Sequence, residues 1–207
     1  MNQLQRSPSG SLVPTIEEQS AFLPNDLPRH VDLTPSIIYL LDKASRAVSI
    51  LSGIGETIPN THLLIRPFVR REAVLSSKIE GTQASISDLY QFEASRERRP
   101  IRDAVEVINY LHALEQGIER LNDIPISFRL INDVHEILMR RVRGSDLRPG
   151  EIRTTQVWIG QQGSPIEEAR YVPPPATYIR DLMLDLERFV NDDIEMPPLI
   201  QCALMHY

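Results

Sequence analysis

Glu72-Ala73-Val74-Leu75-Ser76-Ser77-Lys78-Ile79-Glu80-Gly81-Thr82-Gln83-Ala84-Ser85 reads as a helix that stops at a glycine. Helix formers carry it as far as Glu80, and Gly81 frees the backbone to leave the helix there. Ser76 and Glu80 stand four apart, so on a helix they lie one turn above each other on the same face. The spacing places the Glu80 carboxylate at an exposed tip rather than mid-helix. From these residues alone, a plain helix end with a serine and a glutamate on its wet side accounts for the pattern. The alternative is a pair that acts on something beyond the tip.

Working outward, Pro67 limits the helix on its N-terminal side, which predicts a span of 68–80, and Ser85-Ile86-Ser87-Asp88 supplies caps for a short helix beyond the break. Thr34-Pro35 gives a cap followed by proline at the first helical position. Ile37, Leu40, Leu41, Ala44, Ala47, Val48 and Leu51 then form one apolar stripe that Gly53 is expected to end. Residues 1–33 carry Ser7-Pro8-Ser9-Gly10-Ser11 and prolines at 14, 24 and 28 without a helical or alternating period, so an irregular arm is expected. Arg96-Glu97-Arg98-Arg99-Pro100 reads as a solvated connector, with a basic docking patch as the alternative.

Downstream, Val105, Ile108, Leu111, Leu114, Ile118 and Leu121 keep helical spacing, as do Leu130, Ile131, Val134, Ile137 and Leu138, which predicts two antiparallel helices, the second ending at Arg143-Gly144-Ser145. The character changes between Gly150 and Pro175. There Thr155, Val157 and Ile159 alternate with Thr154, Gln156 and Trp158, and Gly160, Gly163 and Pro165 can turn the chain so that Ala169-Arg170-Tyr171-Val172 returns antiparallel. Ile179, Leu182, Met183, Leu186, Phe189 and Val190 mark a further helix, and a last apolar one begins at Leu199 after Pro197-Pro198.

At 207 residues and 42% hydrophobic, the chain can bury one good-sized core. A net charge of -6 argues against a chain that coats nucleic acid, and no compact basic helix-turn-helix stretch supports a transcriptional regulator. Cys202 lies in the apolar run Leu199 to Met205, where a buried, unreactive thiol is expected, and one cysteine excludes an internal disulfide. No apolar stretch reaches the length of a membrane span and Met1 to Gly10 lacks a signal-peptide pattern, which points to a cytoplasmic protein. Catalytic signatures are missing: there is no Gly-rich phosphate loop, and His135-Glu136 lacks the second histidine of a zinc helix. His135, beside Val134, reads as a hydrogen-bonded core or boundary histidine, with a catalytic base as the alternative.

Ser76-x-x-x-Glu80-Gly81 resembles the inhibitory-helix motif, Ser/Thr-x-x-x-Glu-Gly/Asn, that Fic proteins carry N-terminal to their catalytic part. The likeness is wider than six residues. Glu72-Ala73 and Ser76 through Gln83 resemble the family's N-terminal block, and Leu147-Arg148-Pro149-Gly150-Glu151-Ile152-Arg153 with Gln156-Val157-Trp158-Ile159-Gly160 resembles the segment leading into its flap. Tyr171-Val172-Pro173-Pro174-Pro175 and Pro197-Pro198-Leu199-Ile200 with His206 resemble the family's segments on the C-terminal side of that flap. The resemblance runs in order from about Leu23 to the last residue. It departs at the family's catalytic loop, His-x-Phe-x-Asp/Glu-Gly-Asn-Gly-Arg-x-x-Arg, which occurs nowhere in the sequence.

That resemblance implies a mainly α fold, a Fic-like helical bundle with one small β-hairpin, the flap, and a C-terminus that is incomplete. It divides the chain into an arm at 1–33, a helical region with the inhibitory helix at 34–100, and the start of the catalytic core at 101–207, with the flap hairpin at 153–172. The implied activity is that of a protein adenylyltransferase: AMP passes from ATP, with Mg2+, to a Ser, Thr or Tyr hydroxyl of a target protein. Glu80, with Ser76 and Gly81, would inhibit at the ATP site, and Gln156, Val157, Trp158, Ile159 and Gly160 would position the target. Simple packing of the hairpin against helices is the alternative for Trp158. The general base and metal ligands are among the missing residues, so a truncated chain without catalytic or metal residues, inactive alone and doubtful as a binder of ATP or Mg2+, is expected. A homodimer is compatible with the reading, and neither membrane nor nucleic acid is an expected partner of this part. The other reading of the same residues is a non-enzymatic module that docks its helix in trans on a Fic core.

Overall fold

Helical apolar spacing becomes α-helix at seven places in the computed structural model, which describes residues 8–79, 81–94, 102–142, 144–161, 163–192 and 194–206. The mainly α class with one antiparallel two-stranded hairpin holds. The connector at 96–100 lies outside the described residues. The chain divides into two compact units, one spanning Asp32–Gly150, the other joining Met1–Val31 to Glu151–Tyr207. The expected boundary after residue 100 falls inside the first of these, because the helix on its C-terminal side shares a core with the helices that precede it.

That core is made by α2 (Thr61–Ile79), α3 (Ile86–Ala94) and α4 (Arg102–Arg120). Ala73 and Val74 from α2, Ala84 from the link, Leu89 from α3, and Val107 and Leu111 from α4 form one buried cluster, with Val69, Ile108 and Tyr110 packed against it. Val107 and Leu111 are four apart and so face the same way. α2 begins at Thr61, earlier than the expected 68, with Pro67 inside it. Proline there removes one helical hydrogen bond, and its partner carbonyl lies in the first turn, where disruption costs the helix least.

α5 (Phe128–Leu138) starts at Ser127, whose side chain accepts from the Leu130 N–H, and runs antiparallel to α4. Arg120 near the end of α4 pairs with Asp133 at 2.9 Å, while Asn109 in mid-α4 donates from Nδ2 to the carbonyls of Leu138 (3.0 Å) and Arg140 (2.6 Å). Asn109 is buried, and those carbonyls are among the ones a helix end leaves without partners. α5 therefore stops at Leu138, short of the expected signal at 143–145. Beyond it, the Gly150 N–H donates to His135 Nδ1 at 3.0 Å, so the histidine is hydrogen-bonded as expected, although it is exposed rather than at the core or its boundary. Gly150 has φ +81, and a Cβ there would approach the Asn132 carbonyl to 3.1 Å.

α1 (Pro35–Glu56) is capped by Thr34 as expected, its hydroxyl accepting from the Ile37 N–H at 3.3 Å. It continues through Gly53, because glycine inside a helix costs only about 1 kcal/mol, and closes at Thr57, which donates from Oγ1 to the Ile54 carbonyl at 2.7 Å. No residue of α1 is buried.

In the other unit the arm expected to be irregular holds the one sheet among the described residues: β1 (Gly10–Pro14) pairs antiparallel with β2 (Ser20–Pro24), Leu12 opposite Phe22. The turn between them is closed by the Thr15 N–H to the Gln19 carbonyl (2.7 Å), the Glu18 N–H to the Thr15 carbonyl (3.1 Å) and the Gln19 N–H to Thr15 Oγ1 (3.0 Å). Glu18 takes the left-handed conformation, φ +62, that hairpin turns usually give to Gly or Asn, which is why the pattern was not visible. Pro14 and Pro24 sit at strand ends, where a missing donor is tolerated. Leu27 N–H and Arg29 tie the adjoining segment to Asp185 on α6 (Ala176–Asn191), at 2.6 and 3.1 Å. Phe189 is fully buried. α7 (Pro198–His206) carries Cys202, which is exposed rather than buried, as none of the described residues of α7 is buried.

Candidate regulatory and target-binding segments

The end of α2 is shaped by two paired hydrogen bonds. The Gly81 N–H donates to the Lys78 carbonyl and the Thr82 N–H to the Ser77 carbonyl, both at 3.1 Å, and Gly81 has φ +95. This is the Schellman closure, which needs a residue free to turn left-handed. Beyond Gly81 the Gln83 N–H donates to Asp103 Oδ2 at 2.6 Å, anchoring the link to the start of α4. Ser85 and Asp88 then cap α3 reciprocally: the Ser85 N–H and hydroxyl both reach Asp88 Oδ2 (2.8 and 2.6 Å), and the Asp88 N–H returns to Ser85 Oγ at 3.2 Å. These bonds hold the Asp88 carboxyl below its usual range. Thr82 is buried, with its hydroxyl unpaired among the described residues.

One turn back from the tip, Ser76 donates its hydroxyl to Glu72 Oε1 at 2.5 Å, and Tyr110 of α4 donates its hydroxyl to Glu72 Oε2 at 2.9 Å. Burial, then the hydrogen bond to Glu72 and the charge of that carboxylate, raise the Tyr110 phenol above its ordinary value.

Residues 153–172 form a tight loop rather than the expected two-stranded hairpin. One bridge joins Ile159 to Tyr171: the Ile159 N–H donates to the Tyr171 carbonyl at 2.8 Å, and the N–H groups of Arg170 and Tyr171 reach the Ile159 carbonyl at 2.7 and 3.2 Å. A short 3-10 turn at Ile166–Glu168, with Ile166 buried, takes up the chain where a returning strand would run. Side chains do the rest of the fastening. Gln156 Nε2 donates to the carbonyls of Pro173 (2.9 Å) and Val157 (3.0 Å), Arg153 donates to those of Thr155 (2.9 Å) and Pro174, and Trp158 Nε1 donates to that of Ser164 (3.0 Å). Burial lowers the Arg153 pKa. Val157, Trp158 and Ile159 keep much of their apolar surface exposed.

Residues 38–119 match the Fic/DOC family N-terminal model. Over that segment the chain is similar to Fic family proteins. A crystallised Fic family protein from Desulfovibrio desulfuricans G20 is similar in fold, with a TM-score of 0.63 and 21% identity over 86% of this chain. The match covers 51% of that protein, so this chain spans about half its length.

Ser76 and Gly81 occupy the last turn of α2 and its closure, while Glu80 lies outside the described residues. The Ser76 hydroxyl donates to Glu72. Gln156 through Gly160 are drawn to 170–174 by one bridge and the Gln156 side chain, with Arg153 tied to Pro174 beside them and Trp158 tied to Ser164, in place of a ladder. Sequence reasoning gave no role to Glu72, Tyr110 or Arg153. Glu72 stands four before Ser76, the same spacing that singled out Glu80, and so had a local signal; Tyr110 is 38 residues away from Glu72 and had none. Among the described residues no group of three His, Cys, Asp or Glu side chains could hold a metal ion, and no helix is long and apolar enough to cross a membrane.

Proposed function

We propose that this chain supplies the inhibitory helix and the target-positioning loop of a protein adenylyltransferase, an enzyme in which a Ser, Thr or Tyr hydroxyl of a target protein attacks the α-phosphate of ATP, pyrophosphate leaves, and AMP stays on the target oxygen. The observation that carries the reading is the coincidence of three things at one place: the motif Ser76-x-x-x-Glu80-Gly81, a helix closed by a Schellman pair at Gly81, and a match to the family's N-terminal region across it. In this reading the Glu80 carboxylate neutralises an arginine of the nucleotide site and repels the γ-phosphate. The described residues offer no ligand set for Mg2+, so the ion's ligands lie elsewhere under this proposal.

The exposed apolar edge at Val157, Trp158 and Ile159 supports a second part of the reading, in which an extended target segment lies along the loop and pairs through its main chain. The Trp158 bond to Ser164 holds the indole for that purpose, though the same bond serves packing equally well.

The test is AMP transfer from labelled ATP, in a protein that carries this region together with the family's catalytic loop. Glu80→Gly is expected to raise the rate at least about tenfold, as release of a blocked nucleotide site is worth more than about 1.4 kcal/mol. An unchanged rate removes Glu80 from the inhibitory role. The 207-residue chain assayed alone should transfer no AMP to itself or to added protein.

A further inference from the structure

The successive carbonyls of Tyr171, Val172, Pro173 and Pro174 each take a donor from elsewhere in the chain. The Ile159 N–H donates to Tyr171 (2.8 Å), Gln156 Nε2 to Pro173 (2.9 Å) and Arg153 to Pro174, all three from the loop at 153–172. Val172 is the exception. Its carbonyl accepts from the Phe22 N–H at 3.1 Å, and Phe22 stands in β2, in the N-terminal arm. Arm and loop belong to the same compact unit.

The sequence prepares both sides of that bond. In an antiparallel pair, hydrogen-bonded and non-hydrogen-bonded residue pairs alternate. Thr15 and Gln19 are bonded, so the alternation makes Val13–Ala21 and Ser11–Leu23 bonded pairs and leaves Leu12–Phe22 between them unbonded. The Phe22 N–H therefore points out of the hairpin. Pro24, two residues on, faces the same way but has no N–H to offer. On the other side, Val172 precedes a proline, which holds it extended. Extended backbone turns the carbonyls on either side of Val172 in opposite directions, so that of Tyr171 meets Ile159 while that of Val172 meets β2. Tyr171-Val172 thus stands between the outgoing limb of the loop and the arm.

A second fastening keeps the arm there. The Leu27 N–H donates to Asp185 Oδ2 at 2.6 Å, and Arg29 pairs with Oδ1 at 3.1 Å, its guanidinium 5.6 Å from the centre of the Phe189 ring. Asp185 lies on α6, the helix that begins directly after Pro173-Pro174-Pro175. The arm is tied to the chain on both sides of those prolines.

We propose that the arm is a positioning element of the target loop: β2 holds Val172, the carbonyls beside Val172 hold Ile159 and Gln156, and the edge offered to a target segment keeps its place through them. Phe22, by its main-chain N–H, and Asp185, by its carboxylate, are the positioning residues. The inference rests on the reading of that loop as target-binding.

Trp158 is the one tryptophan of the chain, so its emission reports on the loop. In the 207-residue chain, Phe22→Pro deletes the donor where the hairpin ladder does not use it, and Phe22→Val, which loses the same ring but keeps the N–H, is its control. The proline variant should shift Trp158 emission to longer wavelength and open the indole to acrylamide, and the valine variant should stay near the parent. Asp185→Ala, which frees Leu27 and Arg29 without touching β2, should shift the emission in the same direction, and it decides the matter if the proline variant does not fold. Emission that the deciding variant leaves unmoved, or that Phe22→Val moves as far as Phe22→Pro, overturns the inference. In a protein that also carries the family's catalytic loop, Phe22→Pro should raise KM for the target about tenfold, with KM for ATP unchanged. Emission that moves while KM for the target stays put overturns the target-binding reading of the loop and the inference with it, whereas unmoved emission overturns the inference alone.

Discussion

Helices α1 and α4 lie in the same unit, are 22 and 19 residues long, and carry the same three-to-four apolar spacing. α4 buries Ala104, Val107, Leu111 and Ala113, while α1 buries no residue. The difference teaches what periodicity measures. It reports that a face has to be covered, whereas the cover itself comes from other chain: for α4, from α2 and α3 around Val107 and from α5 around Asn109. The comparison breaks if the two stripes carry equal weight in the folded chain. Leu111→Ala, in the buried cluster that α4 shares with α2 and α3, should cost about 2 to 5 kcal/mol. Leu51→Ala on α1, measured in denaturant at low protein concentration, should stay within about 0.5 kcal/mol. Equal losses would place hidden cover over α1.

A smaller effect separates covering from fastening. Asn109→Ala removes no apolar surface, but leaves the Leu138 and Arg140 carbonyls without their donor beside a buried position. The expected loss is about 1 to 3 kcal/mol, read as a shift of the urea midpoint with unchanged slope. A loss below that range would mean that α5 is held to α4 by its apolar contacts and the Arg120–Asp133 pair alone.

The same contrast sorts what was legible beforehand. Helix existence was readable wherever spacing ran long, as in Val105 to Leu121, and caps were readable at Thr34 and Ser85, because both depend on neighbours in sequence. The hairpin at 10–24 was not, since a glutamate stands where glycine marks such a turn. The alternation at 154–159 pointed to a strand, but Ser164 accepts from Trp158 and Pro173 from Gln156, and these bonds gather the segment into a loop with one bridge. At the candidate site, Gly81 could be read as a helix terminator from its type alone. The Ser76–Glu72 bond could not, because Glu72 and Glu80 are equally spaced from Ser76 and the Tyr110 hydroxyl that also reaches Glu72 lies 38 residues along the chain.

Tyr110 carries the smallest expected effect and the most specific one. Its phenol is half-buried on α4, and burial first, then Glu72, raise its pKa. A group whose folded pKa exceeds its unfolded value stabilises the fold below the unfolded value, about 10 for tyrosine, and loses that contribution as pH rises through the folded value. Tyr110→Phe should therefore cost no more than about 1 kcal/mol at neutral pH, where one hydrogen bond to an exposed carboxylate is lost. The variant should also fall less steeply in stability above about pH 10, because the ionisation that opposes folding there has been deleted. Tyr39→Phe on α1 keeps its ring over Lys43 and removes no bond to a carboxylate, so it serves as the matched control for that alkaline limb. If both variants lost the same part of the limb, the Tyr110–Glu72 bond would have no energetic standing in the fold, and Ser76 would be as free to turn toward position 80 as toward Glu72.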